Sequence, residues 1–311
     1  MPPNPPPPHP TGDHCKQTEN ESIATIEFMA EQDGVLCGLA EALALLRTLH
    51  PELLQCWTLE QGSTMKCGDV VMRVRGRYRD YGSAENALAG ILAVSSGWAT
   101  AARALAKAAK PAPVVFTGAS TVHPALAAQL ENAAVTGGCA GSDSALGRGI
   151  VPRALILLTG DTLRALQCFD QTTPPEIPRL VYADLFHDPA DEAVRVALAV
   201  GNRLSGVILH ADGASDEQLR AKLERVRAQL DLAGLPRVKI FVHGAITAAQ
   251  MHEWKIERVP VNGYFAGDLI GAAPPLPFAV EMRECDGKPL ARRGQTAGTT
   301  PSLRLVRIDF E

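Results

Sequence analysis

Apolar positions recur along this chain with two different periods, and the change of period divides it. Gly34–Leu49 carries Leu, Ala and Val at helical spacing and is closed by Pro51. Asp69–Tyr78, D-V-V-M-R-V-R-G-R-Y, alternates apolar with basic residues, the pattern of a strand with one face in water. Ser83–Lys110 is Ala/Leu-rich and predicted helical, with a break near Ser95-Ser96-Gly97. From Pro113 onward short apolar runs alternate with amphipathic ones. The runs Val114–Thr117, Ala134–Thr136, Ala154–Leu158, Leu180–Ala183, Gly206–His210, Val238–Val242 and Val259–Tyr264 read as strands. Pro189–Arg203, Ser215–Leu232 and Thr247–Glu257 read as helices between them.

Strands separated by helices imply right-handed crossovers and a parallel sheet. About seven such units in succession suit an α/β barrel of the TIM type, with a doubly wound open sheet as the alternative. The end of the chain changes texture again. Phe278–Arg283, the Asp286-Gly287 turn and Pro289–Arg292 read as a hairpin, followed by a strand at Leu303–Ile308. These strands lack partner helices and are expected to pack on the first region. The resulting division is a disordered Pro-rich tail at 1–20, a small α+β domain from 21–112 with 275–311, and the barrel at 113–274.

Composition narrows the class without changing this picture. The 311 residues are 46% hydrophobic and 21% charged, with a net charge of -4. A nucleic-acid partner would call for a basic face, and the arginines at 73, 75, 77, 79, 292 and 293 are too few and local to make one. The seven cysteines are scattered and form no C-x-x-C pair, which argues against a disulfide framework and for a reducing compartment. The first ten residues have no signal-peptide pattern, and no apolar stretch is read as spanning a bilayer. A soluble cytoplasmic protein with neither membrane nor nucleic acid as partner is the expectation.

Several segments together resemble the nicotinate phosphoribosyltransferase family of type II (nicotinate/quinolinate-class) phosphoribosyltransferases. Tyr81-Gly82-Ser83-Ala84-Glu85-Asn86-Ala87-Leu88-Ala89-Gly90, followed by Ser95-Ser96-Gly97-Trp98-Ala99-Thr100, is similar to its Y-E-T-x-L-L-G and S-G-x-A/S-T pair. Val122-His123-Pro124 with Thr136-Gly137-Gly138-Cys139 resembles R-R-x-H-P and G-G-C. Tyr182-Ala183-Asp184 with Asp188 resembles V-D-T-x-x-D, and Val238–Gly244 resembles V-K-I-F-V-S-G-G. Gly287–Gly294 resembles G-K-P-x-A-K-R-G. The matches keep their order over 34–298.

The resemblance implies transfer of ribose 5-phosphate from phosphoribosyl pyrophosphate to a pyridine carboxylate such as nicotinate, in NAD synthesis, with Mg2+ and within a homodimer or higher homo-oligomer. Such chemistry needs groups that neutralise the departing pyrophosphate, N–H donors for the 5-phosphate and a cation for the base's carboxylate, placed in a barrel at the C-terminal strand ends. On this reading Asp184, Arg164 and Lys239 are catalytic. Glu85, His123, Gly138, His210, Asp212, His243, Gly244 and Gly267 bind substrate, and Asp184, Asp188 and His210 hold metal. The chain also departs from the family. Ser120-Thr121 replace paired arginines, Arg164 falls where a phosphorylated histidine is expected, and Phe265 and Asp268 enter a usually glycine-rich phosphate loop. His187, His210 and His243 follow three successive predicted strands, so a His-rich site for Zn2+ or another transition metal, with hydrolase or lyase chemistry, is one alternative. A catalytically degenerate barrel serving as a binding or oligomer-partner module is the other.

Overall fold

The computed structural model describes residues 22–49, 54–142, 144 and 149–309, so the Pro-rich segment 1–20 lies outside the described residues. Two compact units emerge: one ends at Thr100 and resumes at Pro274, the other is Ala101–Ala273.

The first unit begins with a strand outside the expected elements, β1 (Ile23–Ala30), I-A-T-I-E-F-M-A. Ala24, Ile26, Phe28 and Ala30 alternate onto a buried apolar face. A short ladder, β2 (Gly34–Val35) with β4 (Thr64–Met65), flanks it. β3 (Gln55–Thr58) and β5 (Val70–Arg77) extend the main sheet antiparallel. Helix Leu39–Thr48 lays Leu39, Ala42 and Leu46 on the sheet's apolar face, and Tyr81, Leu88 and Leu92 join the same cluster. Helix Glu85–Ala109 runs through Ser95-Ser96-Gly97 without the expected break. The continuous run Tyr78–Ala109 is long and apolar enough to cross a membrane by length and composition, which corrects the expectation of no such stretch; half of the window is buried in the protein, as in a core helix.

The second unit carries a parallel sheet of β6 (Val114–Phe116), β7 (Gly141–Ser142), β8 (Arg179–Tyr182), β9 (Leu204–His210), β10 (Lys239–His243) and β11 (Gly263–Ala266). Their order is β7-β6-β11-β10-β9-β8, a curled half-barrel in which the first strand lies beside the last. Ile150 adds a single parallel bridge to Leu180 outside β8, so a seventh strand position is marked but not built into the ladder. Two expected strands are helical: Ala134–Thr136 ends helix Pro124–Gly137, and Ala154–Leu158 lies in helix Arg153–Thr159. The crossover helices start where side chains cap them: Asp188 for Pro189–Val200, Ser215 for Asp216–Leu232 and Thr247 for Ala248–Ile256.

The chain then returns to the first unit with β12 (Phe278–Cys285), β13 (Lys288–Pro289) and β14 (Val306–Ile308), completing the order β13-β12-β1-β5-β3-β14. The basic side of β5 is only in part the wet face that its pattern suggests: Arg75 is exposed, but Arg73 is covered. Glu27 is fully buried and pairs with Arg73 at 2.6 Å and Arg283 at 3.5 Å. The stretch 296–300 closes over them: Arg283 donates to the carbonyls of Thr296 and Gly298, and the Thr300 N–H donates to Glu27.

Candidate active site

In a parallel sheet, side chains two apart share a face, and strand pairing sets which residues lie abreast. His243 is registered against His210 on β9 and Phe265 on β11, while Tyr182 on β8 pairs with Ile208. Tyr182, His210, His243 and Phe265 therefore point to the same face, at or near the C-terminal strand ends. There a cavity of about 320 Å³ is lined by Thr117, Ile150, Pro152, Arg153, Tyr182, His243 and Phe265. That volume suits one small ligand.

The polar groups form a connected row. The Tyr182 hydroxyl lies 2.8 Å from His243 Nδ1, and the Arg153 guanidinium sits 5.6 Å from the Tyr182 ring centroid. The rings of His210 and His243 meet edge to face at 4.9 Å. His210 Nδ1 is 3.1 Å from the Asp212 carboxylate, and the His210 backbone N–H donates to Asp184 Oδ2 at 2.6 Å. Burial, then the neighbouring His210 and Arg153, lower the pKa of His243 below the usual value, outweighing the opposing pull of Asp268 and Asp212. Thr117 Oγ1 is buried and has no hydrogen-bond partner among the described residues.

Two glycines shape the turns beyond β10 and β11. Gly244 has φ +140°, and a Cβ there would lie 3.0 Å from Ala211 Cβ and 3.2 Å from Asp212 Oδ1. Gly267 has φ +135°, with a Phe116 ring carbon 2.5 Å from where a Cβ would be. Only glycine meets both demands without strain. The turns bring Ala245–Thr247 and Asp268–Ile270 to the strand ends, next to the amino end of helix Ala248–Ile256. Phe265 is not part of the turn: it is a buried strand residue forming the cavity wall, with its ring 5.6 Å from Phe241.

The structure gathers Asp184, His210, Asp212, His243, Gly244 and Gly267 at this end, and distributes the other sequence candidates elsewhere. Lys239 is exposed at the opposite end of β10, four residues before His243, or about 13 Å along the strand. A catalytic role at the strand ends is thereby corrected. Arg164 is exposed in the first turn of helix Thr162–Asp170, because 153–159 is helical and the strand position before it is Ile150. Asp188 uses Oδ1 to cap a helix and Oδ2 to pair with Arg225 at 3.0 Å, which accounts for it without a metal. His187 is exposed and acts electrostatically on Glu192, so the three histidines do not converge. Among the described residues no group of three or more His, Cys, Asp or Glu is arranged to hold a metal ion. His123 is exposed, with Nδ1 accepting from the Ala125 N–H as a helix cap, and Gly138 closes the same helix at φ +118°. Glu85 opens its helix in the first unit, where burial raises its pKa against an opposing hydrogen bond from Tyr78.

Arg153, Thr117 and the ring of Tyr182 are site residues that motif reasoning missed. Pro152 carried the available signal. Proline favours the start of a helix, so I-V-P-R-A-L-I-L-L reads as a strand end followed by a helix with Arg153 at the junction.

Comparison with known proteins identifies the family and supports the fold. The sequence model described as the N-terminal domain of quinolinate phosphoribosyl transferase matches residues 15–96, and that of its C-terminal domain matches 98–281. The crystal structure of nicotinate-nucleotide pyrophosphorylase from Pyrococcus furiosus superposes with a TM-score of 0.82 at 32% identity, covering 93% of this chain and 76% of that one. A Nicotiana tabacum quinolinate phosphoribosyltransferase (decarboxylating) is 31% identical over 106 residues, 33% of this chain and 30% of the tobacco enzyme. A Mycobacterium tuberculosis nicotinate phosphoribosyltransferase is 26% identical over 199 residues, 60% of this chain and 42% of its own length. The chain thus spans less than half of these two curated relatives. With both domain models matched over most of its length, the chain belongs to the quinolinate phosphoribosyl transferase family.

Proposed function

We propose that this protein transfers the 5-phosphoribosyl group of phosphoribosyl pyrophosphate to the ring nitrogen of a pyridine monocarboxylate of the nicotinate type, in NAD synthesis. The observation that carries this reading is the cavity at the strand ends, with Arg153 over Tyr182 beside His243. In the reaction the ring nitrogen's lone pair forms the bond to C1′ as the C1′–O bond to pyrophosphate breaks, and that electron pair leaves with pyrophosphate. No proton is lost, so no general base is required.

Arg153 is the one permanent cation among the described residues lining the cavity. It matches one carboxylate; a second, as in quinolinate, would be desolvated without a counter-charge and near Asp184, Asp212 and Asp268. The turns at Gly244 and Gly267, beside the amino end of helix Ala248–Ile256, are where the 5-phosphate would meet N–H groups. Asp184 and Asp212, at the ends of neighbouring strands, are hard oxygen donors suited to Mg2+, which asks for one or two carboxylates plus phosphate oxygens. When bound, the ion would neutralise charge developing on the pyrophosphate. A homodimer or higher homo-oligomer in a reducing cytoplasm is part of the same proposal, supported by the family and by the free thiols of the described cysteines.

The test is initial-rate measurement of mononucleotide and pyrophosphate formation with Mg2+, comparing nicotinate with quinolinate. Turnover with nicotinate and at least tenfold lower kcat/KM with quinolinate supports the reading. Turnover with neither, together with no binding of phosphoribosyl pyrophosphate, overturns it.

A further inference from the structure

The cavity wall contains a hydrogen bond whose direction decides what the site can recognise. Tyr182 is buried, with its hydroxyl 2.8 Å from His243 Nδ1. An imidazole nitrogen is a far stronger base than a phenolic oxygen, and a phenol is the stronger acid of the two. The favoured arrangement therefore has the Tyr182 hydroxyl donating and Nδ1 accepting. The Arg153 guanidinium over the phenol ring reinforces this, because a nearby cation makes the hydroxyl a better donor. With Nδ1 accepting, the single ring proton of neutral His243 must sit on Nε2. Among the described residues no hydrogen-bond partner is found for Nε2, on a ring that lines the cavity.

We propose that Tyr182 is a positioning residue that locks His243 as the neutral Nε2–H tautomer, so that His243 and Arg153 together present a donor-only surface to one acidic group on the acceptor ring. This deepens, and rests on, the phosphoribosyl-transfer reading. Protonating His243 would put an N–H where the Tyr182 hydroxyl already donates, in reach of Arg153 and His210. The groups facing it that favour the charged form are Asp268 and Asp212, and burial, His210 and Arg153 oppose them. A donor-only surface accepts a carboxylate at both oxygens. It meets a carboxamide with one acceptor and one NH2 group, which sets donor against donor. The pair therefore selects the acid over the amide of the same ring.

The test uses the full-length enzyme. Nitrogen-15 NMR of the histidine rings, with His243 assigned by its loss in His243→Gln, reads the tautomer directly in the wild type. The expected spectrum at pH 7 is a neutral ring protonated at Nε2, giving way to mixed tautomers in Tyr182→Phe. Losing the fixed donor is expected to raise KM for nicotinate about tenfold and to shrink the preference for nicotinate over nicotinamide by a similar factor. The loss should fall on the acceptor's KM more strongly than on kcat or on KM for phosphoribosyl pyrophosphate, a split that a merely structural role for Tyr182 would not produce. A wild-type ring protonated at Nδ1 or charged, or an unchanged acceptor KM in Tyr182→Phe, overturns the proposal while turnover itself stands. Absence of binding to phosphoribosyl pyrophosphate by calorimetry would instead remove the underlying reading, and this one with it.

Discussion

Replacing Arg153 tests the acceptor site with the least disturbance of the fold. The residue is exposed at the start of helix Arg153–Thr159, and its described contact is with the Tyr182 ring at 5.6 Å. Loss of an exposed cation–π contact removes under ~1 kcal/mol of stability, so Arg153→Ala should melt within a few degrees of the wild type. Its effect on the acceptor should be larger. A hydrogen bond between a guanidinium and a carboxylate contributes roughly 1.5–3 kcal/mol, or about 10- to 150-fold in kcat/KM. Arg153→Lys keeps the charge and loses the planar fork, so it should fall between the two. Initial rates against nicotinate at saturating phosphoribosyl pyrophosphate measure this, followed by the reverse titration. If Arg153→Ala leaves kcat/KM for nicotinate unchanged, or lowers kcat/KM for both substrates equally, Arg153 does not read the acceptor carboxylate.

Three further outcomes follow from the placement of charge. Lys239→Ala should leave kcat/KM within about twofold, because Lys239 lies at the far end of β10 by about 13 Å; a loss beyond tenfold in steady-state assay would contradict that placement. Glu27→Gln leaves two guanidiniums under the 296–300 stretch without their carboxylate and should cost about 3–5 kcal/mol in urea denaturation, whereas a cost below ~1 kcal/mol would show that the pairing contributes little. His243 has a folded-state pKa below its usual 6.5, so the unfolded chain takes up the proton first as pH falls. Its share of stability is intact above about 6.5 and is lost below it, and the urea midpoint should fall more steeply between about pH 7 and 5.5 in the wild type than in His243→Gln. Parallel slopes would refute the sign.

Much of the fold was legible because burial on both faces leaves a plain signature. β9, L-S-G-V-I-L-H, and β10, K-I-F-V-H, are short apolar runs between capped helices, and periodicity finds them within a residue or two. The failures have physical causes. Ala134–Thr136 and Ala154–Leu158 are apolar runs too short to distinguish a buried strand from one turn of a buried helix, and tertiary context made both helical. β1 escaped notice although it alternates regularly: Thr25 and Glu27 lie on the face opposite Ala24, Ile26 and Phe28, and both are buried. Glu27 is tolerated there only because Arg73, and Arg283 from far along the chain, meet it, and no local window contains that information.

The same distinction explains which parts of the site could be read. Gly244, Gly267, Asp184 and His243 are fixed by backbone geometry at strand ends, so motif order located them. Arg153 depends on where a strand stops and a helix begins, a boundary that the strand reading of 154–158 hid. With Arg153 in place the departures from the family form one pattern. The paired arginines before His123 are absent, one guanidinium remains at the cavity, and a neutral histidine fixed by Tyr182 stands beside it. An acceptor site that loses cations can keep an anionic ligand only if its remaining lining offers donors and no competing acceptors. The tautomer of His243 is therefore the property on which recognition of a single carboxylate turns.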